Sequence, residues 1–231
     1  MTRRKGASKR SHAVAEKPVV LVFGESEHDT RALAELLVAL CPTLQGMVRP
    51  RSRPPILVKD AKVGDIPGRA QAIAALIDAE RVTCDVVCVF AHEDCDAVEP
   101  AHEGVARKIE NAMAAKGYHV HAVAPAWEME TWWFQWPEAL AAYRPTWRRV
   151  TNVANRDLGR IENAKEELRR ALRPAGSASR TRDYSETDSP GIAERVRRLG
   201  VVRNPQGRSA SFQRFVQSVD GCCEVVSQHY S

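Results

Sequence analysis

At 231 residues, with 44% hydrophobic and 27% charged side chains, the chain is long enough for one sizeable core and has the make-up of an ordinary globular protein. No apolar run approaches the roughly 20 residues that span a bilayer, and no apolar segment of a secretory signal follows the basic N-terminus, which points to the cytoplasm and away from a membrane. The net charge of +5 sits in the tail: Arg3, Arg4, Lys5, Lys9, Arg10 and Lys17 against Glu16 leave +5 before residue 19, and the rest balances to about zero.

Residues 1–17 read as a disordered basic tail, either a solubilising extension or an arm in which Arg3, Arg4, Lys5, Lys9 and Arg10 hold nucleic-acid phosphates. Val19 to Phe23 is a continuous apolar run between Pro18 and Gly24, which suits a strand buried on both faces, with Gly24 permitting the turn. Leu33, Leu36, Leu37 and Leu40 then recur at helical spacing until Pro42 stops the helix. "MVRPRSRPP" at 47–55 reads as a basic connection, "ILVK" at 56–59 as a short second strand and 69–80 as a helix. Residues 85–91 form the third strand, 100–116 a helix closed by Gly117, and 118–124 the fourth strand. Residues 137–143 and 157–172 read as helices, "RPAGSASRTRDYSETDSPG" as a polar connection, and "GIAERVRRLG" and "SASFQRFVQSVDGCCEVV" as short helices packing back on the domain. Strands alternating with helices of this length predict an α/β fold with a mainly parallel sheet of about four strands.

The six cysteines, Cys41, Cys84, Cys88, Cys95, Cys222 and Cys223, form no C-x-x-C pair and no zinc spacing. In a cytosolic protein a disulfide framework is not expected, and Cys84 and Cys88 read as small hydrophobes. All five tryptophans fall between 127 and 147. Trp132 and Trp136 share a helical face and belong to a core, whereas Trp133, off that face, is the candidate for an exposed base-stacking contact. His119 and His121 share one face of a strand and read as packing residues. Ser26 and Ser11 have no His and Asp partners at recognisable spacing, and "GDIPGR" lacks the Gly-Lys-Ser/Thr ending of a phosphate loop, so an intrinsic ATPase is not expected.

The chemistry concentrates in acids that follow strands. Glu25 and Glu27 come after the first, Glu93, Asp94 and Asp96 after the third, and Glu128 and Glu130 after the fourth. Ligands on parallel sheets bind beyond the carboxyl ends of the strands. One such cluster alone reads as favourable charge ahead of a helix; three on one rim suit Mg²⁺ or Mn²⁺, which takes hard oxygen ligands, with a nearby carboxylate as general acid or base. His92 stands beside the acids, where it could be a ligand or proton shuttle, although a lone His there more often stands behind the ligands or faces solvent.

"VVLVFGESEHDTRAL", "VVCVFAHEDCD" and "VAPAWEMETWW" resemble the successive motifs of the Toprim fold of topoisomerases, primases and overcoming-lysogenization-defect nucleases. The nearest resemblance is to stand-alone Toprim-like proteins of the DUF4276 type, through Glu128-Met129-Glu130-Thr131-Trp132, "DYSETDSPGIAERV" and "SASFQRFVQSV". It departs where Gly24 precedes rather than follows the acid Glu25. The resemblance implies a Toprim-like catalytic core over 18–150 and a helical extension over 151–231. It implies Glu25 as general acid/base or metal ligand, Asp94 and Asp96 as Mg²⁺ (or Mn²⁺) ligands, and Glu130 with Glu128 completing the shell or holding a second ion. Glu93 is the acid expected to matter least. Arg182 and Lys59 are available to steady phosphate charge, and nothing in the sequence selects either. The function implied is a Mg²⁺-dependent nuclease acting on DNA or RNA in phage defence or a mobile element, beside a separately encoded ATPase, with a homodimer allowed. A non-catalytic binding module of the same fold, and a metal-dependent enzyme on a small phosphorylated molecule, remain as alternatives.

Overall fold

The structure is a computed structural model and describes residues 18–52, 56–174 and 183–230. The basic residues assigned to nucleic acid in the tail, and Arg182, lie outside these.

β1 (Pro18–Gly24), β2 (Val48–Ser52), β3 (Asp85–His92) and β4 (His121–Val123) form one sheet in the order β2-β1-β3-β4, with every pairing parallel. Alternation along β1 divides the core. Val20 and Val22 face one apolar cluster, and Val19, Leu21 and Phe23 face the other. The second cluster is closed by α2 (Ile66–Arg81) and α3 (Ala101–Ala114). The first is closed by α1 (Glu27–Leu40), α4 (Glu130–Trp133), α5 (Pro137–Tyr143), α6 (Ala164–Leu172), α7 (Ser189–Leu199) and α8 (Ala210–Tyr230). The chain leaves β1 for one neighbour and enters β3 as the other, with α1 and α3 on opposite faces. A crevice therefore opens beyond the carboxyl ends of β1 and β3, where the winding reverses. Among the described residues no helix is long and apolar enough to cross a membrane.

Several expectations are corrected. The second strand is Val48–Ser52, not 56–59. It is an edge strand, so Pro50, which lacks an N–H, costs the ladder nothing on its open side. Arg49 and Arg51 reach Glu80 at the end of α2 rather than marking a loop. The 56–59 segment is irregular because its backbone N–H groups are taken by a side chain, as described below. The 157–172 helix is broken into a 3₁₀ turn at Leu158–Arg160 and α6, with Asn163 left-handed between them at φ 49°.

Trp133 is buried, and its indole N–H donates to Ser189 Oγ at 3.1 Å. Trp132 and Trp136 pack on Phe212 of α8 at ring separations of 5.3 and 5.1 Å, so this aromatic group is core between α4 and α8.

Finally, the adjacent Cys222 and Cys223 are disulfide-bonded, to Cys88 on β3 and Cys41 at the end of α1, with Cα separations of 6.2 and 6.0 Å. A bulge makes the first reach possible. Val19 pairs with Val86 but Val20 with Cys88, and the extra residue turns Cys88 toward α8. Cys84 and Cys95 remain free. The other end of α8 is also tied down: the buried Glu99 carboxylate accepts from Ala210 N–H at 2.9 Å, Ser211 N–H at 2.8 Å and Ser209 Oγ–H at 2.9 Å. Burial pushes this acid up, and those donors outweigh it and hold it below its ordinary value.

Candidate functional site

The crevice is lined by the segments that leave β1, β3 and β4. After β3 and β4 the ladder continues irregularly, with Glu93 N–H donating to Val123 O at 3.1 Å, Cys95 N–H to Pro125 O at 3.3 Å and Asp96 N–H to Trp127 O at 2.9 Å. These bonds carry the acids of two strands to a common level. Gly24 is required for close approach rather than for an unusual φ, since a Cβ there would lie 2.9 Å from Thr30 Cγ2. α1 can therefore start immediately, capped by Ser26 Oγ accepting from Asp29 N–H at 3.1 Å.

Glu25 turns back over the rim. Its Oε1 accepts from Asp94 N–H at 2.8 Å and its Oε2 lies 3.3 Å from Lys59 Nζ. Burial and the charge of Asp94 raise its pKa, against the Asp94 N–H, His92 and Lys59. Glu27 instead pairs with Arg31 on the exposed face of α1, 3.7 Å away. Asp94 is central. Its charge raises Glu25, Glu128 and Glu130 alike, so the three clusters seen in the sequence are electrostatically one group. Its Oδ1 is buried without a hydrogen-bond partner, 3.4 Å from His92 Nε2. His92 is fully buried beneath it. Burial would lower its pKa, but Asp94, Asp29 and Glu25 outweigh this and push it up to about 9, leaving an imidazolium under the acids.

Asp96 points outward, its side chain half exposed, at φ 50°, and pairs with Lys59 Nζ at 2.9 Å. Burial opposes the charge on Lys59, yet the hydrogen bond to Asp96 and the charges of Glu25 and Asp94 hold it firmly protonated. On the β4 side, burial and Asp94 raise Glu128 against Lys165, whose N–H donates to Glu128 Oε2 at 3.2 Å. Lys165 Nζ also lies 2.6 Å from Glu186. Glu130 is buried and accepts from Tyr184 O–H at 2.8 Å. Burial, with Asp94 and Glu128 adding to it against the Tyr184 bond, pushes Glu130 up to about 8.

All five predicted acids, Glu25, Asp94, Asp96, Glu128 and Glu130, thus lie on this rim. Asp96 is coupled to it through Lys59. A cleft of about 220 Å³ opens beside them, lined by Lys59, Asp60, Asp94, Cys95, Asp96 and Lys108 among others. Sequence reasoning assigned Glu93 the smallest part. In fact its buried carboxylate accepts from three consecutive backbone N–H groups, those of Leu57, Val58 and Lys59, and so fixes the segment that delivers Lys59. Lys165 carries no sequence signal, whereas Tyr184 falls in the "DYSE" segment that the family resemblance marks.

Among the described residues no three His, Cys, Asp or Glu side chains stand close enough together to hold one ion. The fit to a hard divalent cation is one of donor type and charge. The donors are all carboxylate oxygens, one of them buried and without a hydrogen bond, and burial with the charges of Asp94 and Glu128 keeps a proton on Glu130. No protein-family model, curated protein or solved structure matches this chain.

Proposed function

We propose that the rim is a divalent-cation-dependent centre that cleaves phosphodiester bonds in DNA or RNA. The observation that carries this is the coupling of Glu25, Glu128 and Glu130 through Asp94 at the point where the sheet's winding reverses. One or two of the carboxylates of Asp94, Glu128 and Glu130 would hold the ion, with Asp96 available from the outer side and with water and the substrate phosphate completing the shell. Bound Mg²⁺ or Mn²⁺ would polarise the phosphoryl oxygens and lower the pKa of water.

The chain's own groups divide the remaining work. Glu25, its pKa raised by burial and by Asp94 and its carboxylate held by the Asp94 N–H, is placed to take a proton from an attacking water and return it to the leaving oxygen. Lys59 and Lys108 face the cleft and would steady charge on the phosphate. Buried His92 holds Asp94 in place from below. The order of the Toprim-like motifs supports this reading and adds a separately encoded ATPase as partner.

A second reading rests on a different observation. Lys59 and Lys165 already neutralise part of the rim, which suits a binding module that keeps the fold without catalysis. Incubation with plasmid, single-stranded DNA and RNA in Mg²⁺, Mn²⁺ or EDTA separates the two. Hydrolysis that needs metal and is lost in Glu25→Gln and Asp94→Asn supports the nuclease. Hydrolysis that survives EDTA or Asp94→Asn, or none at all, refutes it.

A further inference from the structure

We infer that the connection between α5 and α6, together with the segment that leads into α8, is the surface that grips the phosphodiester backbone. Residues 144–160 carry Arg144, Arg148, Arg149, Arg156 and Arg160 against the single acid Asp157. Arg144 is taken up by Asp188 at 3.2 Å and Arg160 by Asp157 at 3.6 Å. The side chains of Arg148, Arg149 and Arg156 are exposed and have no hydrogen bond or ion pair among the described residues, and neither has Arg208.

The backbone beneath them is fixed. Trp147, Val150, Val153 and Leu158 are buried and anchor the connection from within. The 206–208 segment runs alongside it in parallel: Asn155 N–H donates to Gln206 O at 2.9 Å, Arg208 N–H to Arg156 O at 2.8 Å and Leu158 N–H to Arg208 O at 2.8 Å. Gly207 lets the two lie this close, because a Cβ there would meet Leu158 Cδ1 at 2.4 Å. Arginines that a globular body holds on an ordered backbone, yet leaves without acids, present planar donor forks suited to phosphate oxygens.

The ribbon also leads to the rim. Gly159 O accepts from Glu99 N–H at 2.9 Å, three residues beyond Asp96. Beyond the ribbon the chain enters α6, where Lys165 N–H meets Glu128. A strand of nucleic acid lying on these arginines would therefore run toward the acidic crevice, and the phosphates bound on the ribbon lie outside the site of cleavage. This deepens the proposed function and rests on it for the identity of the polyanion.

The test is binding in EDTA, where cleavage plays no part. Fluorescence anisotropy of the full chain with short duplex DNA, single-stranded DNA and RNA is followed across 50–200 mM salt. Four phosphate contacts contribute a slope in log K against log salt of about −3.6 on duplex and about −2.8 on single strands, a loss of roughly 100-fold over that range. The quadruple variant Arg148→Gln, Arg149→Gln, Arg156→Gln, Arg208→Gln is expected to lose most of that slope at an unchanged melting temperature. Removal of four charges elsewhere (Arg107, Lys116, Arg170 and Arg198 to Gln) is expected to leave it. An unchanged slope in the first variant, or equal losses in both, overturns the inference, as does a wild type that binds none of the three probes and leaves the patch to an acidic protein. Asp94→Asn keeps this binding whatever it does to cleavage, so failure of the catalytic reading is seen separately.

Discussion

Glu93→Gln removes the least conspicuous acid of the rim while keeping its volume. Glu93 is 4% exposed, and its two oxygens accept from the N–H groups of Leu57, Val58 and Lys59, with the Val58 bond at 3.0 Å and the Lys59 bond at 2.9 Å. A glutamine retains one acceptor oxygen and turns an NH₂ toward backbone donors that have no other partner. A hydrogen bond to a charged group contributes about 1.5–3 kcal/mol, and an orphaned buried donor costs about 1–3 kcal/mol. The expected loss is about 3 kcal/mol, or roughly 6–12 °C in melting temperature for a chain of this size. Thermal unfolding gives the loss, and hydrogen exchange locates it in the amides of residues 57–59. Release of that segment also frees Lys59 from Glu25 and Asp96. A melting temperature within about 1 °C of wild type, with those amides as protected as before, refutes the view that Glu93 organises the rim.

Alkylation in denaturant is expected to find two free thiols, Cys84 and Cys95, before reduction and all six after it. The longer bridge closes a loop of 182 residues, for which chain entropy gives about 5 kcal/mol, so dithiothreitol is expected to lower the urea midpoint sharply. His121, held down to about 4 first by burial and then by His119, is expected to titrate there by NMR. Its contribution to stability is complete above about 6.5 and falls away as the pH drops toward 4, a slope that His121→Gln removes. Glu130 has the opposite sign. In the folded chain it keeps a proton up to about 8 that the unfolded chain loses near 4.5, so stability falls as the pH rises through that window. Glu130→Gln is expected to flatten this fall, seen as a smaller difference between melting temperatures at pH 5 and pH 8.

β1 and β3 were legible because strands buried on both faces read as continuous apolar runs. β2 was not, because an edge strand tolerates Pro50 and carries Arg49 and Arg51, whose partner Glu80 lies on another element. "ILVK" looks like a strand, but its N–H groups go to a carboxylate that its own sequence does not contain. The acids of the rim were legible for a similar reason: each follows a strand, and a parallel sheet brings strand ends to one side. The groups that tune them come from far along the chain. Lys59 lies 34 residues from Glu25, and Tyr184 lies 54 from Glu130. Cys222-Cys223 had no reading alone, because its meaning lies in two partners 134 and 182 residues away.

The central claim is that these carboxylates act together on one class of divalent ion. Mn²⁺ electron paramagnetic resonance measures this without a substrate. On titration into the protein at neutral pH, the account predicts that the six-line signal of the free ion is suppressed by wild type and by the surface control Glu103→Gln. It predicts that the signal is left at full strength by Asp94→Asn, since Asp94 is the acid through which the others are coupled. A wild type that leaves the free-ion signal intact, or an Asp94→Asn variant that binds as tightly as wild type, contradicts it.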